Sequence, residues 1–329
     1  MKELLIEFGI VGGVSFLLTA ILTHFIIPIL KGKKAGQHIL EVGPTWHQSK
    51  EGTPTMGGIA FIMAILASLV GVAVFYAVRS RQAELIPLAL TLGLGVLNGL
   101  IGFVDDFCKL MKKQNQGLKA YQKFALQVLA AALYLFVMRL LGYIDTSLHI
   151  PFTQISVELG IVYYVFAMLT IVGMVNSVNL TDGIDGLAGT VTLVVFGFFS
   201  VVGIHYLHGS LTILSAALVG GMLGFLLYNL HPAKVFMGDT GSLFLGGVVS
   251  GAAFMLNEPM IVFIVGGMYV LESVSVILQV GSFKLRNKRI FKMAPIHHHF
   301  EKSGWKEGKI VAVFGTVTAI LCVLAWFGL

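Results

Sequence analysis

The side chains best suited to phosphate and metal chemistry are concentrated in a few short segments of this chain. They are Asp105, Asp106, Asp182, Asp185, Asp239 and the run His297–His299. Carboxylates are the protein ligands that hold hard cations such as magnesium. Phosphoryl transfer depends on positioning and charge neutralisation, which cations and imidazoles provide. The residue types therefore indicate metal-assisted phosphate chemistry.

The adjacent carboxylates Asp105 and Asp106 end an apolar run. Neighbouring side chains on a helix point about 100° apart, so we expect both to reach one site only at a frayed helix end. The alternative is a solvated helix terminus. A magnesium-diphosphate motif of the DDxxD type is incomplete here, because position 109 is lysine.

The segment 176–187 combines oxygen ligands with two Asp-Gly pairs. Its polar members are Asn176, Asn179, Thr181, Asp182 and Asp185. This density of oxygen atoms is typical of sites for hard cations or sugar hydroxyls. The alternative is a helix–turn–helix corner in which Asp185 caps the second helix.

The segment 238–242 reads Gly-Asp-Thr-Gly-Ser and precedes another apolar run. A carboxylate, hydroxyls and free backbone N–H groups at a helix start can bind phosphate. A capped helix start explains the same pattern. No Walker A loop occurs in the chain.

The segment 282–301 carries five Lys or Arg residues and then His297–His299. Three consecutive histidines cannot all face one tetrahedral metal, so a diphosphate suits them better than zinc. Attraction to lipid headgroups is the alternative role of the basic residues. Glu272 lies inside the preceding apolar run, and we expect it either to pack against a polar partner or to line a groove.

The elements that must position these side chains are membrane spans. Of the residues, 57% are hydrophobic and only 12% are charged, whereas soluble domains carry about 25% charged residues. A soluble enzyme, a disordered chain and a disulfide-rich module are excluded. Ten runs are long enough to span a bilayer: 6–30, 56–78, 86–104, 121–141, 160–178, 187–206, 211–228, 242–256, 260–281 and 309–328.

The distribution of charge predicts the orientation. The five loops 31–55, 105–120, 176–186, 229–241 and 282–308, with Lys123 and Lys309 at their borders, hold 18 of the 22 Lys and Arg residues. The positive-inside rule therefore places these loops in the cytoplasm and both termini outside. Five of the six aspartates lie at the edges of the same loops, so we expect the five cytoplasmic loops to form the active site.

Six segments resemble, in order, motifs of the phospho-N-acetylmuramoyl-pentapeptide transferase family. They are Lys50–Gly58, GFVDD at 102–106, NSVNLTDGIDGLAG at 176–189, NLHPAKVFMGDTGS at 229–242, ESVSVILQVGSFKL at 272–285 and MAPIHHHFEKSGW at 293–305. The last segment separates this family from relatives that transfer N-acetylhexosamine 1-phosphate. Residues 306–312 depart from the family pattern, since they lack its arginine-containing stretch.

The resemblance implies an all-α integral membrane protein of about ten transmembrane helices, a single polytopic domain over residues 1–329. It implies a bacterial plasma-membrane enzyme that passes phospho-MurNAc-pentapeptide from UDP-MurNAc-pentapeptide to undecaprenyl phosphate, with Mg²⁺ as cofactor. This reaction yields UMP and lipid I, in the first membrane step of peptidoglycan synthesis.

The resemblance also implies roles for individual residues. The implied catalytic residues are Asp105, Asp106, Asp239, His297, His298 and His299, and the implied metal ligands are Asp239 and Asp182. The implied substrate-binding residues are Lys50, Thr55, Lys113, Lys123, Asn176, Asn179, Asp182, Asp185, Asn229 and Phe236. Among these, Asp185, Asn229 and Phe236 lie near the uracil in the family.

Two other functions remain as alternatives: a related polyprenyl-phosphate N-acetylglucosamine-1-phosphate transferase, and an ion-coupled transporter. A transporter places its acids near mid-membrane, and the chain has no visible inverted repeat. We expect the lipid bilayer as a partner and no nucleic acid, and a homodimer is one open oligomeric state. For Asp105 we prefer orientation or deprotonation of the acceptor phosphate over a covalent aspartyl-phosphate.

Overall fold

The computed structural model describes residues 1–32, 50, 52–78, 84–112 and 116–329. Within these ranges the chain forms twelve α-helices and one short β-hairpin. The helices are α1 (Lys2–Gly32), α2 (Gly58–Val78), α3 (Leu85–Lys112), α4 (Ala120–Leu140), α5 (Ile161–Thr181), α6 (Leu187–His205), α7 (Gly209–Asn229), α8 (Gly238–Met255), α9 (Ile261–Val265), α10 (Gly267–Arg286), α11 (Ile296–Glu301) and α12 (Glu307–Trp326). The strands β1 (Ser147–His149) and β2 (Ser156–Glu158) pair antiparallel between α4 and α5.

Nine of the described helices are long and apolar enough to cross a membrane, with mean hydropathies between 1.2 and 2.6. They are α1 to α7, α10 and α12. The remaining long helix, α8, begins with Gly238 and Asp239 and is rich in glycine, which lowers its hydropathy. Nearly all of α8 is buried inside the bundle. The expected fold class, an all-α membrane protein with about ten spans, is confirmed.

The predicted span 260–281 is present but interrupted near its start, where the structure divides it into two helices. α9 ends at Val265, and α10 begins at Gly267 after a break at Gly266. Paired glycines have low helix propensity, so the break falls where the helix is weakest. α10 then continues to Arg286, beyond the predicted end.

The inner helices α6, α7 and α8 form the core, which contains fully buried aromatic side chains. Phe225 of α7 packs edge-on against Phe61 of α2, with ring centroids 5.1 Å apart. Large apolar side chains on α1, α4 and α5 remain exposed, including Leu17, Leu129 and Leu169. Such exposed apolar surface is expected where lipid covers the helices.

The packing of α8 along α3 positions the chemically important ends of both helices. A side chain at Gly102 would place its Cβ 2.1 Å from the Asp239 carbonyl oxygen, so only glycine allows this approach. The contact places the end of α3, which carries Asp105 and Asp106, beside the first turn of α8. Two segments far apart in sequence thereby supply carboxylates to one end of the bundle.

Candidate active site

Three carboxylates meet where α3 and α8 come together. Asp105 and Asp106 lie on α3, and Asp239 lies on α8. One oxygen atom of each lies within 4.8 Å of the others. We call these three residues the carboxylate cluster. The sequence predicted all three as catalytic, and the structure brings them together.

Two lysines bind the carboxylate cluster. Lys109 Nζ lies 2.6 Å from an Asp105 oxygen, 3.0 Å from Asp239 and 3.8 Å from Asp106. Lys123 Nζ lies 2.9 Å from Asp239. Lys123 was predicted in the substrate site, whereas Lys109 was missed. The available signal was its spacing, since Lys109 follows Asp105 by four residues and so shares its helix face.

Asp105 and Asp106 reach the cluster from within a helix, so the expectation of a frayed end is wrong. α3 continues to Lys112, where the Asp105–Lys109 pair supports the additional turn. The Thr240 N–H and hydroxyl donate to Asp106 at 2.9 and 2.8 Å. The Leu118 N–H donates to Asp105 at 2.7 Å. Thr240 therefore binds Asp106 while Leu118 binds Asp105, so these two adjacent side chains can both belong to the carboxylate cluster.

Asp239 is held by its own turn and by α5. Asn179 Nδ2 donates to Asp239 Oδ1 at 2.8 Å. The preceding residue, Gly238, has a φ of +71°, which favours glycine. A Cβ at Gly238 would lie 2.7 Å from an Asp106 oxygen and 2.8 Å from the Thr55 hydroxyl. The predicted residues Thr55 and Asn179 therefore border the carboxylate cluster.

The donor set of the carboxylate cluster fits a magnesium ion. Three carboxylates (−3) and the ammonium groups of Lys109 and Lys123 (+2) leave a formal charge of −1. Magnesium takes one or two carboxylates together with water and substrate phosphate. Asp239, Asp105 and Asp106 would hold the ion, while the two lysines are available to phosphate oxygens.

A second group of charges surrounds Lys50, and we call Lys50, Asp185, His231 and Glu307 the Lys50 cluster. Lys50 Nζ lies 2.7 Å from both Asp185 Oδ1 and Glu307 Oε2. His231 Nδ1 lies 3.0 Å from Asp185 Oδ2, and the Ala233 N–H donates to the same oxygen. Burial raises the pKa of the Asp185 carboxyl, but the bonds from Lys50, Ala233 and His231 outweigh burial and lower it.

The Lys50 cluster contains both predicted and missed residues. Lys50 and Asp185 were predicted to bind substrate, but the helix-cap alternative for Asp185 is wrong because Gly186 is the N-cap of α6. His231 and Glu307 were missed. The charge of Glu307 in the first turn of α12 was a weak signal, and no local pattern relates it to Lys50, which lies 257 positions away.

Asp182 lies on the loop between α5 and α6, which also carries Asp185. Burial raises the pKa of the Asp182 carboxyl well above its ordinary value, and the charges of Asp239, Asp106 and Asp185 raise it further. Asp182 therefore lies within electrostatic reach of both clusters. Among the described residues, the carboxylate oxygens that lie within 4.8 Å of Asp239 and of each other belong to Asp105 and Asp106, and Asp182 is not part of this group. Its role as a metal ligand remains a prediction.

The three histidines have different surroundings. His297 is fully buried, with 0% exposure. His298 Nδ1 lies 2.5 Å from Glu301 Oε2, and the Lys292 N–H donates to His299 Nδ1 at 3.1 Å. His298 and His299 are half-buried. A diphosphate can therefore approach His298 and His299 more directly than His297.

Two further predicted residues have structural partners. Asn176 donates to Gln127 on α4 at 2.8 Å. Asn229 is buried and donates to the Val235 carbonyl at 2.9 Å, which fixes the loop after α7. Lys113 lies outside the described residues.

The loop that carries Phe236 is paired with the segment after Lys50. The Phe236 N–H donates to the Pro54 carbonyl at 2.8 Å, and the Gly57 N–H donates to the Phe236 carbonyl at 2.8 Å. The Phe236 side chain is half-buried. This backbone pairing joins the Lys50 and Asp239 segments, so the two clusters share one face of the bundle end.

Two family models match this chain. Residues 88–257 match glycosyl transferase family 4, and residues 50–62 match phospho-N-acetylmuramoyl-pentapeptide-transferase signature 1. The first match contains the whole carboxylate cluster, and the second contains Lys50 and Thr55.

Curated relatives extend the similarity to nearly the full chain, and each is named phospho-N-acetylmuramoyl-pentapeptide-transferase. The protein of Alkaliphilus oremlandii is 47% identical over 329 residues, covering 96% of either chain. That of Clostridium novyi is 46% identical, covering 96% of this chain and 95% of the relative. That of Staphylococcus carnosus is 44% identical, covering 96% and 97% respectively.

Proposed function

The chain belongs to the phospho-N-acetylmuramoyl-pentapeptide-transferase family, and we propose that it transfers phospho-MurNAc-pentapeptide from UDP-MurNAc-pentapeptide to undecaprenyl phosphate. The products are UMP and lipid I. The enzyme is a multi-pass protein of the bacterial cytoplasmic membrane. The reaction is the first membrane step of peptidoglycan synthesis.

The observation that carries this proposal is the carboxylate cluster with its two lysines at one end of an apolar bundle. A water-soluble nucleotide donor and a lipid acceptor can meet only where the membrane ends. Phosphoryl transfer there requires neutralisation of phosphate charge and in-line positioning of the reactants. The ammonium groups of Lys109 and Lys123 can neutralise phosphate charge. The carboxylates, 2.6–3.0 Å away, hold these ammonium groups in position.

Each charged group has a role in this mechanism. Asp105, Asp106 and Asp239 would hold Mg²⁺, which when bound would supply positive charge to the donor diphosphate. Lys109 and Lys123 bind phosphate oxygens, and Asp239 holds both ammonium groups in place. The Lys50 cluster orients the nucleotide end of the donor. His298 and His299 contribute imidazole groups beside the diphosphate.

Asp105 acts on the acceptor by orientation or deprotonation, and the acceptor phosphate attacks the donor directly. A phosphate monoester has a second pKa near 6, so undecaprenyl phosphate is largely dianionic at neutral pH. Both Asp105 oxygens already have partners, Leu118 N–H and Lys109 Nζ. These contacts suit an orienting group better than a nucleophile that must form a covalent bond to phosphorus.

The site faces the cytoplasm in this proposal, because UDP-linked donors are cytosolic and the basic loops follow the positive-inside rule. Undecaprenyl phosphate reaches the site from the bilayer.

The test is UMP release by the purified protein in detergent with undecaprenyl phosphate. Matched reactions contain UDP-MurNAc-pentapeptide or UDP-N-acetylglucosamine, each with and without magnesium. We expect UMP only with the first donor, and only with magnesium. Turnover of UDP-N-acetylglucosamine instead would assign the chain to the related hexosamine-phosphate transferases. Ion-dependent flux in vesicles without UMP release would contradict a transferase.

A further inference from the structure

Glu272 and His297 form a buried pair beside the proposed active site. Glu272 lies on α10 and His297 begins the histidine run on α11, and both side chains have 0% exposure. His297 Nδ1 and Glu272 Oε2 are 3.1 Å apart. Nothing in the mechanism above uses Glu272.

Each member of this pair depends on the other. Across the described residues, no hydrogen bond of regular geometry reaches either Glu272 carboxylate oxygen or either His297 ring nitrogen. A buried carboxylate without a partner is strongly unfavourable, and so is a buried imidazole. The 3.1 Å separation of Nδ1 and Oε2 is within the distance of a charge-assisted hydrogen bond. The Glu272 carboxylate is therefore placed where it can orient the His297 ring.

The imidazole of His297 in turn packs against the loop between α5 and α6. A Cβ built on Gly183 would lie 2.3 Å from His297 Nε2, so the ring lies directly against the backbone of this loop. Gly183 stands between Asp182 and Asp185. The position of the ring therefore limits where this loop can lie.

A further contact holds α10 against α5. The hydroxyl oxygens of Ser273 and Ser177 are 2.7 Å apart. α5 ends at Thr181, immediately before the loop. The loop is thus bounded by α5 on one side and by His297 on the other.

We propose that Glu272 is a positioning residue, which holds the His297 imidazole against Gly183 and so fixes the 182–185 loop. The proposal rests on the transferase function, because that loop carries Asp182 and Asp185. It also explains why a carboxylate occurs within an apolar span. His297 acts through the loop, while His298 and His299 lie closer to solvent.

The test compares Glu272→Gln with Glu272→Met, because the two replacements have similar volumes and neither is charged. Gln keeps an acceptor for the imidazole N–H, whereas Met only fills the space. We expect Gln to retain most of kcat/KM for the nucleotide donor, and Met to lose about tenfold or more. Met also leaves the buried imidazole without its partner, so we expect it to lower the thermal unfolding temperature relative to Gln, and rates are compared below the unfolding transition of both variants.

Ser275→Ala is the matched control on the same helix. Ser275 is buried one turn from Glu272 and donates only to the Glu272 backbone carbonyl at 2.7 Å. We expect this variant to keep normal kcat and KM. A loss as large as that of Glu272→Met would indicate a general packing defect of α10 and would overturn the proposal.

A double-mutant cycle tests whether the effect passes through the imidazole. In the His297→Phe background, Glu272→Met should cause no further loss of kcat/KM. Gly183→Ala should lower kcat/KM by itself, because its Cβ would lie 2.3 Å from His297 Nε2. Additive losses, or equal activity of the Gln and Met variants, would overturn the positioning role.

The parent enzyme separates this proposal from the proposed function. If the parent releases no UMP from UDP-MurNAc-pentapeptide, the proposed function fails, and the positioning role fails with it. If the parent is active but the cycle is additive, only the positioning role fails.

Discussion

Removal of the Glu307 carboxylate should weaken donor binding without unfolding the protein. Glu307 Oε2 accepts hydrogen bonds from Lys50 Nζ at 2.7 Å and from the Asp185 N–H at 3.1 Å. It thereby joins the start of α12 to Lys50 and to the 182–185 loop. We expect Glu307→Gln and Glu307→Ala to raise both the Kd for uridine nucleotide and the KM for the donor.

These two contacts set an upper limit on the effect, because both lie within the protein and influence donor binding only through the positions of Lys50 and Asp185. A hydrogen bond to a charged group contributes about 1.5–3 kcal/mol. In Glu307→Gln an acceptor oxygen remains, and Asp185 still lies 2.7 Å from Lys50 Nζ. We therefore expect a loss at the lower end of this energy range, which corresponds to about tenfold in affinity. Ala leaves the Asp185 N–H without its acceptor, so the upper end applies, about a hundredfold.

Calorimetry with UDP and magnesium measures the affinity, and initial rates against donor concentration measure kcat and KM. Glu3→Gln is the control, because it removes the same charge from an exposed position in the first turn of α1. We expect this control to bind as the parent does. Thermal unfolding of each variant shows whether a loss reflects folding instead of binding.

Tighter binding after removal of the Glu307 carboxylate would contradict this role. If Glu307 merely neutralised Lys50, its removal would free the ammonium for the donor phosphates. Affinity would then increase, and more at low ionic strength, where charge interactions are screened less. Unchanged or tighter binding by Glu307→Gln would show that Glu307 does not preorganise the Lys50 cluster.

Three other predictions concern separate parts of the molecule. Asp239→Asn should lower turnover at least about a hundredfold while the protein still folds, because the amide cannot hold two ammonium groups. Activity near the parent value, with the same magnesium requirement, would contradict the role of Asp239 in the site. Phe236→Ala should weaken UDP binding about ten- to a hundredfold if its ring stacks on uracil, and equal calorimetric affinity would leave Phe236 only its backbone pairing. In a Cys108→Ser background, an impermeant thiol reagent on intact cells should label Gln154→Cys but not Lys288→Cys, and reversed labelling would contradict the cytoplasmic site.

Hydropathy and local motifs were enough to predict the membrane fold and most of the clustered chemistry. Long apolar runs and their flanking charges are local properties, so nine spans and the buried α8 could be located from composition. The motifs around Asp105, Asp182 and Asp239 also identified their residues, because oxygen-rich segments between apolar runs are visible without a fold. Paired glycines at 266 and 267 were a local signal for the break in the ninth span, but apolar content alone did not reveal it.

Which of these side chains meet depends on how the helices pack. The Lys123–Asp239 contact joins positions 116 residues apart, and the Lys50–Glu307 contact joins positions 257 apart. Such pairs depend on how helices pack, for example on the approach of α8 to Gly102 of α3, and periodicity contains no information about it. The burial of His297 against Glu272 was likewise invisible in a run of three identical residues. Spans follow from local hydropathy, whereas a site assembled from several helices follows from their packing.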